Sequence, residues 1–388
     1  MRIALVTHFY PSHGGGIELV AGRLALELAG RYGWQIDWYA SEGDVLPQLP
    51  GVTAIPMSAW NAVERLSGLP YPLWSPRALG TLARGIAGAD AVHVHEFAYA
   101  GSLSAVRAAH RAAVPLILTQ HIGVVRTRYR ALGALYRLLE ACCAQWCFDR
   151  SAAVAFVSET TRAHFQDRRG TRSQYLTLWN GVDTQILQLA GNETRAAARS
   201  DWGLGAAGPV VLFAGRRVAK KGIRIVESVA RALPGVQFLV AGQGPEDPHS
   251  WGLPNVRALG FVAPELMPSL YQAADLLLLP SYFEGFPLVV QEALACGMAV
   301  LTTDEVASAC PPVASLVHAC AVPTTGDPSP WIDALAATLP AARDDDARAL
   351  RAAAAARLWS WEHCADRYAG LFRAASAGNA PSPQRSPS

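Results

Sequence analysis

The stretch VVLFAGRRVAKKG, residues 210–222, contains the pattern that decides the fold. Val210–Ala214 is a short apolar run, typical of a strand buried on both faces of a parallel sheet. A glycine and four cations within six residues follow it, and helical periodicity resumes after Gly222. A strand end that faces a helix start is where open α/β sheets bind ligands. The alternative is a solvated basic turn.

The same pattern extends in both directions from this stretch. In the second half, Gln237–Ala241, Asp275–Pro280 and Met298–Leu301 are predicted to be further strands. The first half contains six predicted strands, namely Ile3–Thr7, Gln35–Tyr39, Ala91–Val94, Leu116–Thr119, Ala153–Val157 and Tyr175–Leu178. Segments of helical period separate most of them. The predicted class is therefore α/β with two Rossmann-like domains, and a chain of 388 residues suits two ordinary cores.

The break between the two halves lies at Asn192–Gly208, which is charged, alanine-rich and then glycine-rich. We place the domain boundary near residue 200, between a first domain at 1–195 and a second at 205–355. Residues 356–375 are predicted to form a last helix. The tail at 376–388 is mostly Ser, Pro, Gly and Ala, so it cannot bury enough apolar area to order itself.

Composition excludes several classes of protein. Apolar residues make up 51% of the chain and charged residues 16%, which excludes a disordered or nucleic-acid-coating protein. The N-terminal apolar run is too short for a signal peptide, and no run reaches the roughly 18 apolar residues of a spanning helix. We therefore expect a cytoplasmic protein. Its seven cysteines include no paired CxxC arrangement, so we assign them no metal.

The glycine fingerprint of dinucleotide-binding domains is missing after both first strands. The loop after Thr7 is too long, and Leu19 stands where a third glycine should fall. Gly215 is followed by two arginines. A nicotinamide dinucleotide is therefore disfavoured. Arg216 offers a planar donor fork and Lys221 a point charge, a combination that matches the oxygens of a diphosphate.

A second motif is SYFEGFPLVVQEALACG, residues 281–297. Its proline suits the first turn of a helix, which places Glu284 in the preceding loop and Glu292 inside the helix. The two carboxylates should therefore contact different parts of one ligand. N–H groups near Leu288 and Val289 could bind phosphate oxygens. For Glu292 the simpler explanation is stabilisation of the helix dipole.

Together these motifs resemble glycosyltransferase family 4. The landmarks occur in the family's order across roughly residues 1–375: Gly15-Gly16-Ile17-Glu18, Thr119-Gln120-His121, Asn180-Gly181-Val182-Asp183, Gly215-Arg216 with Lys221-Gly222, Ala241-Gly242-Gln243-Gly244-Pro245, and Glu284 with Glu292. The resemblance implies the GT-B architecture, two Rossmann-like domains with parallel sheets facing a central cleft. It further implies a retaining enzyme that needs no metal or cofactor.

The resemblance also implies roles for the matching residues of the second domain. Arg216 and Lys221 would hold the donor diphosphate and stabilise charge on the leaving group. Glu284 would contact the transferred sugar, and Glu292 the nucleotide ribose. The donor would be a UDP- or GDP-sugar, with a lean towards uridine. The acceptor would be a glycan or a lipid-linked glycan of cell-surface polysaccharide or glycolipid biosynthesis.

In the first domain, Gly15 and Gly16 match glycines that let the first loop approach the phosphates. His121 matches a histidine near the sugar and the acceptor, although a lone histidine at a strand end is more often structural. The two histidines and the glutamate of residues 93–96 either line the same cleft or reflect alternate strand faces.

Two regions carry further expectations. After Gly297 the sequence lacks the family's usual glycine pair and glutamate, which leaves the choice of donor open. Arg126, Arg128 and Arg130 precede an apolar helical stripe, a combination that docks on anionic membrane surfaces. The protein could then sit on the inner face of the cell membrane. The alternative is a core-packed helix with a solvated basic end.

Two other functions fit the same architecture. A nucleotide-sugar epimerase or hydrolase would process the donor without an acceptor. A non-enzymatic relic would only bind glycans, but it would have no reason to keep separate groups for phosphate, sugar and ribose.

Overall fold

The chain forms two compact units. Unit 1 comprises Met1–Gly181 and Trp361–Ser388, and unit 2 comprises Val182–Ser360. The computed structural model describes residues 1–43, 45–60, 71–123, 137–138, 140–166, 173–205, 208–282, 286–321 and 327–378.

Unit 1 is built on a seven-stranded parallel sheet in the order β3-β2-β1-β6-β7-β8-β9. Its central strands are buried on both faces, which explains their continuous apolar runs. The strands of unit 1 are β1 (Arg2–Val6), β2 (Gln35–Ser41), β3 (Val52–Met57), β4 (Ala59–Trp60), β5 (Leu73–Trp74), β6 (Ala91–His95), β7 (Leu116–Gln120), β8 (Ala153–Phe156) and β9 (Gln174–Thr177). β4 and β5 pair with each other in antiparallel fashion.

Helices connect the parallel strands of unit 1. They are α1 (Gly16–Tyr32), α2 (Pro76–Ala87), α3 (Ala100–Ala112), α4 (Gln145–Phe148) and α5 (Glu159–Gln166). A π-helical segment, Glu140–Ala144, runs directly into α4. Local sequence sets the starts: Ser75 caps α2 by accepting a hydrogen bond from the Ala78 amide at 3.2 Å, and Pro76 occupies the first turn.

Unit 2 is built on a six-stranded parallel sheet in the order β12-β11-β10-β13-β14-β15. Its strands are β10 (Val210–Ala214), β11 (Gln237–Ala241), β12 (Val256–Gly260), β13 (Leu276–Leu279), β14 (Ala299–Thr303) and β15 (His318–Cys320). Its helices are α6 (Asn192–Asp201), α7 (Ile223–Ala232), α8 (Met267–Ala273), α9 (Leu288–Ala295), α10 (Asp304–Ala307), α11 (Ser329–Ala342) and α12 (Asp345–Trp359). The predicted α/β class with two Rossmann-like domains is confirmed.

The division between the units differs from the predicted boundary near residue 200. α6 belongs to unit 2, because Arg195 and Arg199 both bond to the buried carboxylate of Asp275 just before β13. Asp275 Oδ2 also accepts a hydrogen bond from the Val210 amide at 2.7 Å. The charged segment that reads as a linker is therefore a packed helix.

The last helix predicted at 356–375 is present but begins at Trp361, because the predicted range also includes the final turn of α12. α12 ends at Trp359, and α13 (Trp361–Ser376) begins after Ser360 and belongs to unit 1. Most of the predicted tail, residues 379–388, lies outside the described residues. Within the described part of the chain, no helix combines the length and apolar character needed to cross a membrane.

Candidate functional site

Each sheet has a topological switch point, where neighbouring strands send their connections in opposite directions. In unit 1 it lies between β1 and β6, and in unit 2 between β10 and β13. Ligands of open α/β sheets bind at the carboxyl ends of the strands at these points. The predicted site residues that the structure describes all follow β1, β7, β10 or β13. The fold thus places them at the binding edges of their sheets.

The basic loop of unit 2 leaves the carboxyl end of β10. Arg216 is exposed, and Lys221 ends a short 3-10 turn that spans Ala219–Lys221. The Lys221 stem runs beside Gly215, where an added Cβ would lie 3.9 Å from Lys221 Cδ. The Tyr282 amide donates to the Lys220 carbonyl oxygen at 2.9 Å, which ties this loop to the segment after β13. Two cations are thus held at the switch point.

Gly222 permits this close approach of the two loops. Its φ is +72°, in the left-handed region, and a Cβ there would lie 2.1 Å from the carbonyl oxygen of Pro280. Any larger residue would push the basic loop away from β13.

The helix after β13 begins at Leu288, with Pro287 as its N-cap rather than in its first turn. Leu288 and Val289 therefore lie in the first turn, where N–H groups have no partner within the helix. Such groups bind anions readily. Glu284, the predicted contact of the sugar, lies outside the described residues.

Glu292 lies within α9 and has a partner that the sequence did not reveal. The hydroxyl of Tyr271, a fully buried residue of α8, donates to Glu292 Oε2 at 2.5 Å. Burial raises the pKa of Glu292, and the hydrogen bond from Tyr271 opposes that rise. The bond fixes the carboxylate in one orientation.

The first loop of unit 1 ends at the start of α1. Gly15 is the N-cap and Gly16 the first helical residue. A Cβ on Gly15 would lie 2.0 Å from Glu18 Oε2, because the Glu18 side chain folds back over the cap. A Cβ on Gly16 would meet no atom within 4 Å. The backbone of Gly16 is therefore open to a ligand.

His121 follows β7 and belongs to a cluster of neutral histidines. His121 Nε2 hydrogen bonds with His95 Nδ1 at 2.9 Å, and His93 Nε2 bonds with the Thr119 hydroxyl at 2.8 Å. Burial lowers the pKa of His93 and of His121 to about 3, and that of His95 well below its usual value. The rings stay uncharged at neutral pH, so they can bind hydroxyl groups without attracting anions.

Two polar residues beside this cluster, Glu96 and Gln120, were noted in the sequence but given no role. Glu96 is completely buried, and its Oε1 accepts a hydrogen bond from Gln120 Nε2 at 2.6 Å. Its Oε2 accepts one from the Ile122 amide at 3.1 Å. Burial raises the pKa of Glu96 to about 7. In the sequence, residues 95–96 and 120–121 each follow directly after a predicted strand.

The structure does not describe the basic residues predicted for the acceptor or membrane side. Arg126, Arg128 and Arg130 lie outside the described residues. Across the described ranges, no group of three or more His, Cys, Asp or Glu side chains is arranged to hold a metal ion, and metal independence stays a prediction.

Lys220 and Lys221 are the only lysines in the sequence.

Two family models match the chain, one in each unit. The model described as Glycosyltransferase Family 4 matches residues 14–186, and the model described as Glycosyl transferases group 1 matches residues 208–340.

Curated relatives carry the name D-inositol 3-phosphate glycosyltransferase. The relative from Mycobacterium leprae is 30% identical over 334 residues, covering 77% of this chain and 74% of that protein. The relative from Mycobacterium avium is 35% identical over 218 residues, covering 50% of this chain. The matched part spans about half the length of the relatives from Mycobacterium avium and Mycolicibacterium paratuberculosis, 48% and 46%.

Solved structures share the fold at low identity. Sucrose-phosphate synthase from Thermosynechococcus elongatus aligns with a TM-score of 0.73 and 18% identity, covering 98% of this chain and all of that chain. Anabaena HepE, in complex with UDP and glucose, aligns with a TM-score of 0.68 and 18% identity, covering 96% and 99%.

Proposed function

Because this chain belongs to glycosyltransferase family 4 and has its GT-B fold, we propose that it transfers a sugar from a nucleotide diphosphate donor with retention of anomeric configuration. The observation that carries the proposal is the position of Arg216 and Lys221 at the switch point of unit 2. They share it with the first turn of α9. Cations and helix N–H groups that lie at the same sheet edge suit a diphosphate.

The chemistry follows from where charge develops. When a nucleoside diphosphate departs, negative charge accumulates on its terminal phosphate. Preorganised cations and N–H groups stabilise that charge more strongly in the transition state than in the ground state. Each charge-assisted contact contributes roughly 1.5–3 kcal/mol. Leaving-group stabilisation can therefore drive the reaction without a metal.

We infer a UDP-sugar as the donor, with a GDP-sugar as the second candidate. The complex of HepE with UDP supports uridine. Glu292, held by Tyr271, contacts the ribose, and Glu284 contacts the transferred sugar. The acceptor is a glycan or a lipid-linked glycan. The relatives' name adds a second acceptor class, a phosphorylated cyclic polyol.

The neutral histidines suit the acceptor side of this reaction. Because Nε2 of His121 is engaged with His95, the other ring nitrogen, Nδ1, would be the one to bond to the ligand. An uncharged imidazole can bond to a hydroxyl of the sugar or the acceptor. The basic segment that contains Arg126, Arg128 and Arg130 would dock the protein on the inner face of the membrane. Liposomes of anionic lipid should retain the protein at low salt, and a failure to do so removes this part of the proposal.

The two lysines give a matched test of the diphosphate site. Lys221→Ala should lower kcat/KM for the UDP-sugar by about 10- to 100-fold, the loss of one charge-assisted contact. Lys220→Ala, which changes an exposed neighbour, should stay near the wild-type rate. Turnover is measured with a chelator present, and the product anomer is read by NMR. Near-normal turnover in Lys221→Ala, or an inverted product, contradicts the proposal.

Amine labelling provides an independent readout of the same site. A lysine-reactive ester has only Lys220, Lys221 and the chain's amino terminus to modify. UDP should protect Lys221 from labelling more than Lys220, as read by peptide mass spectrometry. Equal labelling with and without UDP would argue against a diphosphate beside Lys221.

A further inference from the structure

The ends of β6 and β7 are joined by two side-chain pairs. His95 Nδ1 bonds with His121 Nε2 at 2.9 Å, and Glu96 Oε1 accepts from Gln120 Nε2 at 2.6 Å. The backbone adds a third link, because the Glu96 amide donates to the Thr119 carbonyl oxygen at 2.8 Å. His95 and Glu96, at the end of β6, thus bond to His121 and Gln120, at the end of β7.

Glu96 makes a further bond to the backbone that carries His121. Its carboxylate Oε2 accepts a hydrogen bond from the Ile122 amide at 3.1 Å. Gln120 is fixed as well, since its Nε2 also donates to the Ile122 carbonyl oxygen at 2.7 Å. We call Glu96, Gln120 and the backbone of 121–122 the Glu96 clamp.

The backbone of Glu96 is in an unfavourable conformation. Its φ is +67°, in the left-handed region that residues other than glycine rarely adopt. Its side chain is 0% exposed, and a buried carboxyl group is also unfavourable. Strain of this kind persists where the surrounding structure enforces it, and it concentrates at functional sites.

We propose that Glu96 is a positioning residue, whose buried carboxylate holds residues 120–122 and so aims His121 at the reacting sugar and acceptor. This inference rests on the proposed function, which supplies the role of His121. Glu96 itself touches neither substrate.

The clamp depends on the ionised form of Glu96. An ionised carboxylate accepts from both N–H donors, Gln120 Nε2 and the Ile122 amide. A protonated carboxyl group carries an O–H donor, and this donor then faces an N–H donor instead of accepting from it. Because burial raises the pKa of Glu96 to about 7, the clamp should tighten as pH rises through neutrality.

Other ionisable groups also lie near the carboxylate. They are Glu140 of the π-helical segment, which bonds with His164 of α5 at 3.0 Å, and Tyr99. His95 and His121 stay neutral across this pH range because burial lowers the pKa of His121 to about 3 and that of His95 well below its usual value. His164→Gln, which keeps a donor for Glu140, is therefore the matched control.

Hydrogen exchange tests the clamp without reference to activity. At pH 8, amides of residues 120–122 should exchange at least tenfold faster in Glu96→Gln than in the wild type, because one acceptor oxygen becomes an NH₂ group. Amides of β8 and the His164→Gln protein should be unchanged. If Glu96→Gln does not fold, wild-type protection at 120–122, corrected for intrinsic rates, should rise from pH 6 to pH 8. Unchanged protection in either measurement overturns the clamp.

Turnover then tests the positioning role. Wild-type kcat should rise about tenfold from pH 6 to pH 8, whereas Glu96→Gln should be flat and low, with KM for the donor unchanged. His164→Gln should keep the wild-type profile. A wild-type profile in Glu96→Gln overturns the inference even if exchange has changed. Absence of turnover in the wild type instead overturns the proposed function, while exchange still reports on the clamp.

Discussion

Replacing Gly222 with alanine should displace the basic loop of unit 2. Gly222 has φ +72°, and its Cβ would lie 2.1 Å from the Pro280 carbonyl oxygen and 2.7 Å from Pro280 Cγ. Both neighbours belong to the segment at the end of β13, so no flexible side chain can move aside. The loop that carries Lys221 must shift instead, and the bond from the Tyr282 amide to the Lys220 carbonyl should break.

The cost of this substitution has three parts. Holding alanine in the left-handed region costs about 1–2 kcal/mol. Relieving an overpacked contact costs about 1–3 kcal/mol, and a lost hydrogen bond adds about 1 kcal/mol. We therefore expect unit 2 to lose about 3–6 kcal/mol of unfolding free energy, and binding of UDP to weaken because Lys221 moves.

The control is Gly235→Ala, in the exposed turn between α7 and β11. A Cβ on Gly235 meets no atom within 4 Å, so that variant should be as stable as the wild type or slightly more stable. Urea unfolding followed by tryptophan fluorescence gives both stabilities, and calorimetry with UDP gives the affinities. If Gly222→Ala matches Gly235→Ala in midpoint and UDP affinity, the described contact between the two loops is wrong.

Three further predictions concern the two sheet edges. Gly16→Ala should leave the melting temperature unchanged but raise KM for the UDP-sugar about tenfold, because its methyl group meets only the ligand; a normal KM places the phosphates elsewhere. Tyr271→Phe should weaken UDP binding about tenfold, yet leave inhibition by pyrophosphate unchanged, because Glu292 serves the ribose; equal losses for both ligands would remove that role. Glu96 has a raised pKa in the folded state, so it favours folding at acid pH, and its contribution declines as pH rises from about 4.5 to 7. Relative to Glu96→Gln, wild-type stability in urea should fall by about 3 kcal/mol over that range, and a constant difference would contradict the buried ionisation.

Sequence periodicity located the interior strands because they are buried on both faces. Val210–Ala214 and Gln237–Ala241 were predicted with the bounds they have, and the other eight shift by only a few residues at either end. β3, β12 and β15 were missed because they lie at or near sheet edges and are only partly buried, so they lack a continuous apolar run. β3 also contains Pro56, and a proline within a run argues against a strand.

The candidate site could be predicted where its residues lie close together in the sequence. Arg216 and Lys221 sit in one loop, and the strand before that loop and the helix after it identify its place in the fold. The partners of Glu292 and His121 come from distant parts of the chain. Tyr271 and Glu292 are far apart in sequence, so no local pattern predicts their hydrogen bond. A glutamate in the sequence likewise does not indicate the positive φ of Glu96.

The diphosphate site itself is tested most directly by a thermal-shift panel of UDP, GDP, ADP and NAD with a chelator present. A ligand that binds only the native state stabilises it by about 2.7 kcal/mol at a concentration one hundred times Kd. We predict that one nucleoside diphosphate raises the melting temperature of the wild type, and that Arg216→Ala abolishes this shift. Arg224→Ala, an exposed arginine on α7, should keep it. A response to NAD alone, or a diphosphate shift that survives in Arg216→Ala, would contradict the account.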